Sequence, residues 1–126
     1  MNGKILIADD DRDLADVLAQ RCAALGLVVR TAHTAADALM LVYEDDVDLV
    51  CLDINMPCGN GLSVCEMLAT DDVRRTLPVI ILTGQTDHTT VRRCHQLCAY
   101  YIPKCPDVWR RLEPLIRELL EEPAAT

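Results

Sequence analysis

Three short stretches bounded by polar or turn residues, Ile5 to Ala8, Leu49 to Leu52 and Val79 to Leu82, are apolar without interruption. A strand with one wet face alternates apolar and polar residues, and these do not. Each is therefore expected to be a short strand covered on both faces, as happens in parallel sheets sandwiched between helices. Lys4 to Ala8 reads as the first strand and Leu27 to Thr31 as the second. Leu49 to Leu52, closed by Asp53, is the third, Val79 to Leu82 after Pro78 the fourth, and Tyr100 to Ile102 the fifth.

Helical segments fill the gaps. Arg12 to Leu25 carries Leu14, Val17, Leu18 and Leu25 along one face, with acids at its start to suit the helix dipole and Gly26 as a stop. Thr34 is placed to cap a helix from Ala35 to about Glu44. Further helices are expected from Gly61 to about Thr70, Asp87 to about Cys98, and Asp107 to about Glu121. Pro114 inside the last removes a backbone hydrogen bond and should kink it. The pattern is (βα) five times, an α/β, doubly wound, five-stranded parallel sheet with right-handed crossovers.

At 126 residues the chain makes one domain, expected over 1–122, with 123–126 as a tail. No apolar run approaches the roughly 18 residues of a membrane span, and no signal peptide is visible, so a cytoplasmic location is expected. The net charge of -8 argues against direct nucleic-acid binding. Seven cysteines form no CxxC pair and read as reduced, mostly core residues. A zinc site from Cys94, His95, Cys98 and Cys105 fits no usual ligand spacing. His33, His88 and His95 receive no role.

Every remaining candidate lies where a strand ends. Asp9 and Asp10 follow the first, Asp53 ends the third, Thr83 the fourth, and Lys104 follows the fifth. Open α/β sheets bind ligands beyond these carboxyl ends. Carboxylates crowded together repel, and a hard divalent cation such as Mg2+ relieves the repulsion. A metal, an ammonium and a hydroxyl around one carboxylate make a receptor for a phosphoryl group, and a carboxylate can itself be the nucleophile.

The motifs ILIADDD, LVCLDINMP with Gly61, VIILTG and YYIPK stand in order across nearly the whole chain. With them it resembles the receiver domains of two-component response regulators. The resemblance implies a flavodoxin-like sheet of order 2-1-3-4-5. It implies that Asp53 accepts a phosphoryl group from a histidine kinase or histidine phosphotransfer protein. Asp10, Asp53 and the Asn55 carbonyl would ligate Mg2+ directly, with Asp9 acting through water. Thr83 and Lys104 would hold phosphoryl oxygens, Thr83 and Tyr101 would form the switch, and Asn55 and Gln85 would tune phosphoryl lifetime. The output surface would be the fourth helix, fifth strand and fifth helix, open to a partner or to a second copy in a homodimer.

The family usually has Pro after the lysine, joined through a cis peptide; here Cys105 intervenes before Pro106. A cis bond before a non-proline costs about 2.5–4 kcal/mol, so a trans Lys104–Cys105 bond is expected. An enzyme of the haloacid dehalogenase type would need a second Asp two residues after the nucleophile, where this chain has Asn55. A degenerate, merely protein-binding receiver would have lost Asp53 or the acid pair. A phosphoacceptor signalling domain, not an enzyme acting on other substrates, is the expectation.

Overall fold

Leu49–Asp53 and Val79–Thr83 are buried at every residue, which places them at the centre of a sheet covered on both faces. The structure, a computed structural model, describes residues 1–56, 59–84, 88–97 and 99–120. In chain order the elements are β1 (Lys4–Ala8), α1 (Arg12–Ala24), β2 (Val28–Ala32), α2 (Ala35–Glu44), β3 (Leu49–Asp53), α3 (Gly61–Ala69), β4 (Val79–Thr83), α4 (His88–Gln96), β5 (Tyr100–Pro103) and α5 (Val108–Leu120). All strand pairs are parallel, in the order β2-β1-β3-β4-β5, as expected.

Successive strand residues point to opposite faces, and the core divides accordingly. Ile5, Ile7, Leu49, Cys51, Ile80 and Leu82 meet α1 and α5 through Leu18, Cys22, Leu112 and Ile116. Leu6, Val50, Leu52 and Ile81 meet the other layer through Ala38, Val42, Val64, Leu68 and Cys94 of α2, α3 and α4. Burying each large aliphatic side chain is worth about 1.5–3 kcal/mol.

Local chemistry sets the helix starts. Asp11 caps α1 by accepting from the Leu14 N–H at 3.1 Å, and Thr34 caps α2 by accepting from the Asp37 N–H at 3.0 Å. The buried stripe of α1 is Ala15, Leu18 and Cys22, while Val17 is exposed. Leu18 is in the core and Leu14 and Leu25 pack against it as expected; Val17 is the one departure, and Ala15 and Cys22 fill the rest of the buried face. β2 begins one residue later than expected, and Leu27 is buried just ahead of it. α5 runs through Pro114, which is exposed. The Arg110 carbonyl that proline leaves without its helical donor is thus on the exposed side, while Val108, Leu112 and Ile116 hold the buried side. The expected ends of the fourth helix at Asp87 and Cys98, Glu121 and the tail lie outside the described residues.

The two edges differ. β5 ends in Pro103, whereas β2, VVRTA, is mostly exposed. Arg30 of β2 donates to Asp45 Oδ2 at 3.0 Å, and Lys4 pairs with the other oxygen of the same carboxylate. Cys22, Cys51, Cys65 and Cys94 are buried cysteines and Cys105 is a half-buried one, none of them in a disulfide, while Cys58 and Cys98 lie outside the described residues. Burial alone pushes the Cys22 thiol up to about 12. The Lys104–Cys105 peptide is trans, as is Cys105–Pro106.

Candidate functional site

The parallel register aligns the strand ends. Ala8 pairs with Leu52, Asp53 with Leu82, and Thr83 with Pro103. The residues just past these positions therefore share one edge of the sheet. The Lys104 N–H donates to the Thr83 carbonyl at 2.8 Å and carries the ladder one residue beyond β5.

Lys104 is half-buried, and its ammonium bridges two buried carboxylates. Nζ donates to Asp53 Oδ2 at 3.2 Å and to Asp9 Oδ1 at 3.2 Å. It lies 2.9 Å from Asp9 Oδ2, but that oxygen is buried and receives no well-aligned hydrogen bond. Distance and geometry differ here, and the contact is best described as an undirected ion pair.

The loops hold both acids in place. Asn55 N–H donates to Asp53 Oδ1 at 3.3 Å. Gly61 N–H donates to the Ile54 carbonyl at 2.9 Å, which brings the start of α3 against the end of β3. A Cβ at Gly61 would fall 2.2 Å from the Asp53 carbonyl oxygen, so only glycine fits. Asp11 N–H donates to Asp9 Oδ1 at 2.9 Å. The Asp9 main chain is bonded from the far side of β1: its N–H donates to Ala32 O at 3.0 Å, and its carbonyl lies 2.9 Å from His33 Nδ1.

One ammonium does not neutralise this many acids. Burial, then the Asp9 charge, push the Asp53 carboxyl up to about 6, although Lys104 and the Asn55 N–H act in the other direction. Burial disfavours the Lys104 charge, but Asp9 and Asp53 together outweigh it and raise its pKa. Asp10 is exposed and completes the group: Asp9, Asp10 and Asp53 each offer an oxygen, all within 4.8 Å of one another. Among the described residues it is the only group of three or more such ligands. Excess negative charge, oxygen-only donors and one under-bonded buried oxygen suit a hard divalent cation such as Mg2+.

Asp9, Asp10, Asp53 and Lys104 thus converge, with Asn55 attached through its backbone. Thr83 is fully buried at the neighbouring strand end. Tyr101, half-buried, pairs in register with Ile81 and packs on the α2–α4 side of the sheet. Gln85 lies outside the described residues. His33 received no role from its sequence, yet it touches the backbone of the site.

Residues 5–109 match the family described as the response regulator receiver domain. The chain belongs to that family, the receivers of two-component systems. It is 34% identical over 85 residues to the regulatory protein VanR of Enterococcus faecium, covering 68% of this chain and 36% of VanR. The chain therefore spans about a third of that relative's length. Among solved structures it resembles the non-phosphorylated HemR receiver domain of Leptospira biflexa, with a TM-score of 0.85 and 30% identity over 98% of this chain and 99% of that one. A CheY-like receiver domain protein of Methanospirillum hungatei aligns with a TM-score of 0.84 and 26% identity, covering 94% of each chain.

Proposed function

We propose that Asp53 is the phosphoacceptor of this receiver domain, taking its phosphoryl group from a phosphohistidine on a histidine kinase or histidine phosphotransfer protein. The observation that carries this is the Lys104 ammonium 3.2 Å from an Asp53 carboxylate whose neighbours Asp9 and Asp10 leave the site over-supplied with negative charge. In the transfer, an Asp53 oxygen forms the new P–O bond as the P–N bond to the donor imidazole breaks. The electron pair of the broken bond stays with the imidazole.

Lys104 supplies positive charge on one side of the transferred group and keeps its hold on Asp9. Thr83, at the adjacent strand end, donates its hydroxyl to a phosphoryl oxygen. Asp10, Asp53 and the Asn55 carbonyl would hold Mg2+ directly, with Asp9 acting through water. The ion would neutralise negative charge on the Asp53 and phosphoryl oxygens as they approach. Asn55 and Gln85 tune how long the phosphoryl group survives. Thr83 and Tyr101 carry the change to the surface of α4, β5 and α5, where a partner or a second copy docks. The domain acts on no other substrate. Asn55, two residues after the acceptor, cannot donate the proton that an aspartate-nucleophile phosphatase needs there. No helix among the described residues is long and apolar enough to cross a membrane.

A small phosphodonor such as acetyl phosphate, with magnesium chloride, is expected to add one phosphoryl group to the wild type and none to Asp53→Asn. Intact-mass spectrometry followed by fragment mapping reads this out. Equal labelling of the two proteins would remove Asp53 from its role.

A further inference from the structure

Both main-chain groups of Asp9 are bonded by consecutive residues at the end of β2. Its N–H donates to Ala32 O at 3.0 Å, which prolongs the β1–β2 ladder by one bond beyond the Ala8–Ala32 pair. Its carbonyl is 2.9 Å from His33 Nδ1. A carbonyl oxygen can only accept, so Nδ1 carries the proton and donates. Thr34 has already turned to cap α2, and an imidazole bonds the carbonyl where the strand pairing has stopped.

The peptide unit is planar, so fixing the Asp9 carbonyl fixes the Asp10 nitrogen and Cα in the same plane. Asp10 itself is exposed, and its carboxylate belongs to the oxygen cluster with Asp9 and Asp53. The Asp9 carboxylate is held separately, by the Asp11 N–H and Lys104. Asp10 is therefore oriented by the peptides on either side of it: the Asp11 N–H bond holds the one after, and the His33 bond holds the one before.

We propose that His33 is a positioning residue: its Nδ1–H anchors the Asp9–Asp10 peptide and so aims the Asp10 carboxylate at the cation site. This rests on the magnesium reading above. His33 is not a ligand, since its Nδ1 is engaged by the carbonyl and it stands outside the oxygen cluster. Groups that orient metal ligands usually change affinity by about 10–100-fold. A bond made through the backbone to one of several ligands should do less.

The test is a magnesium titration of the wild type, His33→Ala, His33→Gln and His33→Asn, followed by amide NMR shifts, with thermal melts alongside. The Asn side-chain amide can present an N–H near the position of Nδ1, and the longer Gln cannot. Kd is expected to rise about three- to tenfold in His33→Ala and His33→Gln and to stay within about twofold of wild type in His33→Asn. His33→Gln carries the comparison if His33→Ala does not fold. Imidazole 15N shifts of the wild type should show Nδ1 protonated.

A wild type whose Nδ1 lacks the proton would overturn the proposal. So would variants that all bind like wild type, or an Asn variant as weak as Ala. A wild type that binds no magnesium overturns the parent reading instead, and the imidazole shifts then still report on the His33–Asp9 bond.

Discussion

Gly61→Ala is expected to destabilise the domain by about 3 kcal/mol, the upper end of what overpacking a tight site costs. The added Cβ would lie 2.2 Å from the Asp53 carbonyl oxygen and 3.0 Å from both the Asp53 carbonyl carbon and the Ile54 Cα. All three are backbone atoms of a strand end that is paired with β4, so no side chain can swing away. Either α3 backs off and breaks the Gly61 N–H bond to Ile54 O, or the end of β3 moves. In the second case Asp53 moves with it, and a displacement of about 1 Å at a reacting group can slow a reaction roughly a hundredfold. Thermal melts should show a fall of roughly 10 °C, and phosphorylation by a small donor should slow at least tenfold. A loss below about 1 kcal/mol would mean that the strand end yields easily, and the close approach would then carry no structural weight.

In the absence of metal, raising the pH from about 4 to 7 should weaken the fold through Asp53. The sign is opposite to that of an ordinary paired aspartate. Its folded pKa is raised to about 6 from the ordinary 3.8 of a free aspartate, so between these values the folded state binds more protons than the unfolded one. Stability then falls as pH rises. A shift of about two units corresponds to up to roughly 3 kcal/mol at neutral pH. Lys104 has the complementary behaviour. Its raised pKa adds stability that is fully present at neutral pH and is lost only as pH rises through its folded value. Other groups titrate too, so the useful quantity is the difference between Asp53→Asn and wild type in urea unfolding with a chelator present. The advantage of the variant should grow by about 2–3 kcal/mol from pH 4 to 7. Magnesium should erase most of it, since binding at a hundred times Kd contributes about 2.7 kcal/mol to the wild type. A flat difference across this range would show that the folded protein does not strain the Asp53 charge.

Sequence patterns reveal what repeats along the chain and hide what meets across it. The unbroken apolar runs at Ile5, Leu49 and Val79 announced central parallel strands, because burial on both faces leaves no polar alternation. Of the α1 stripe only Val17 was misplaced, because hydrophobicity favours it over Ala15 and Cys22, the small residues that the buried face takes. Asp9, Asp10, Asp53 and Lys104 were legible as strand-end residues, and register brought them together. The importance of Gly61 was visible in its motif, but its reason, contact with the Asp53 backbone, was not. His33 was invisible for a related cause. Its partner is a main-chain carbonyl 24 positions earlier, and a carbonyl has no residue type to recognise.

The uneven edges of the sheet bear on how the protein behaves when concentrated. An unpaired strand edge is a template for another chain, and proteins blunt it with proline or charge. β5 is short and ends at Pro103, which offers no N–H. β2 has no proline, and its single charge is Arg30, tethered to Asp45. Arg30→Val would leave VVVTA along an exposed edge, a β-prone and uncharged run of the kind that stacks into fibrils. Light scattering on concentrated samples should then rise over hours while the wild type stays clear, and a clear variant would show that another feature guards the edge. On that expectation one arginine, remote from the acid cluster, guards the edge of the sheet against self-assembly.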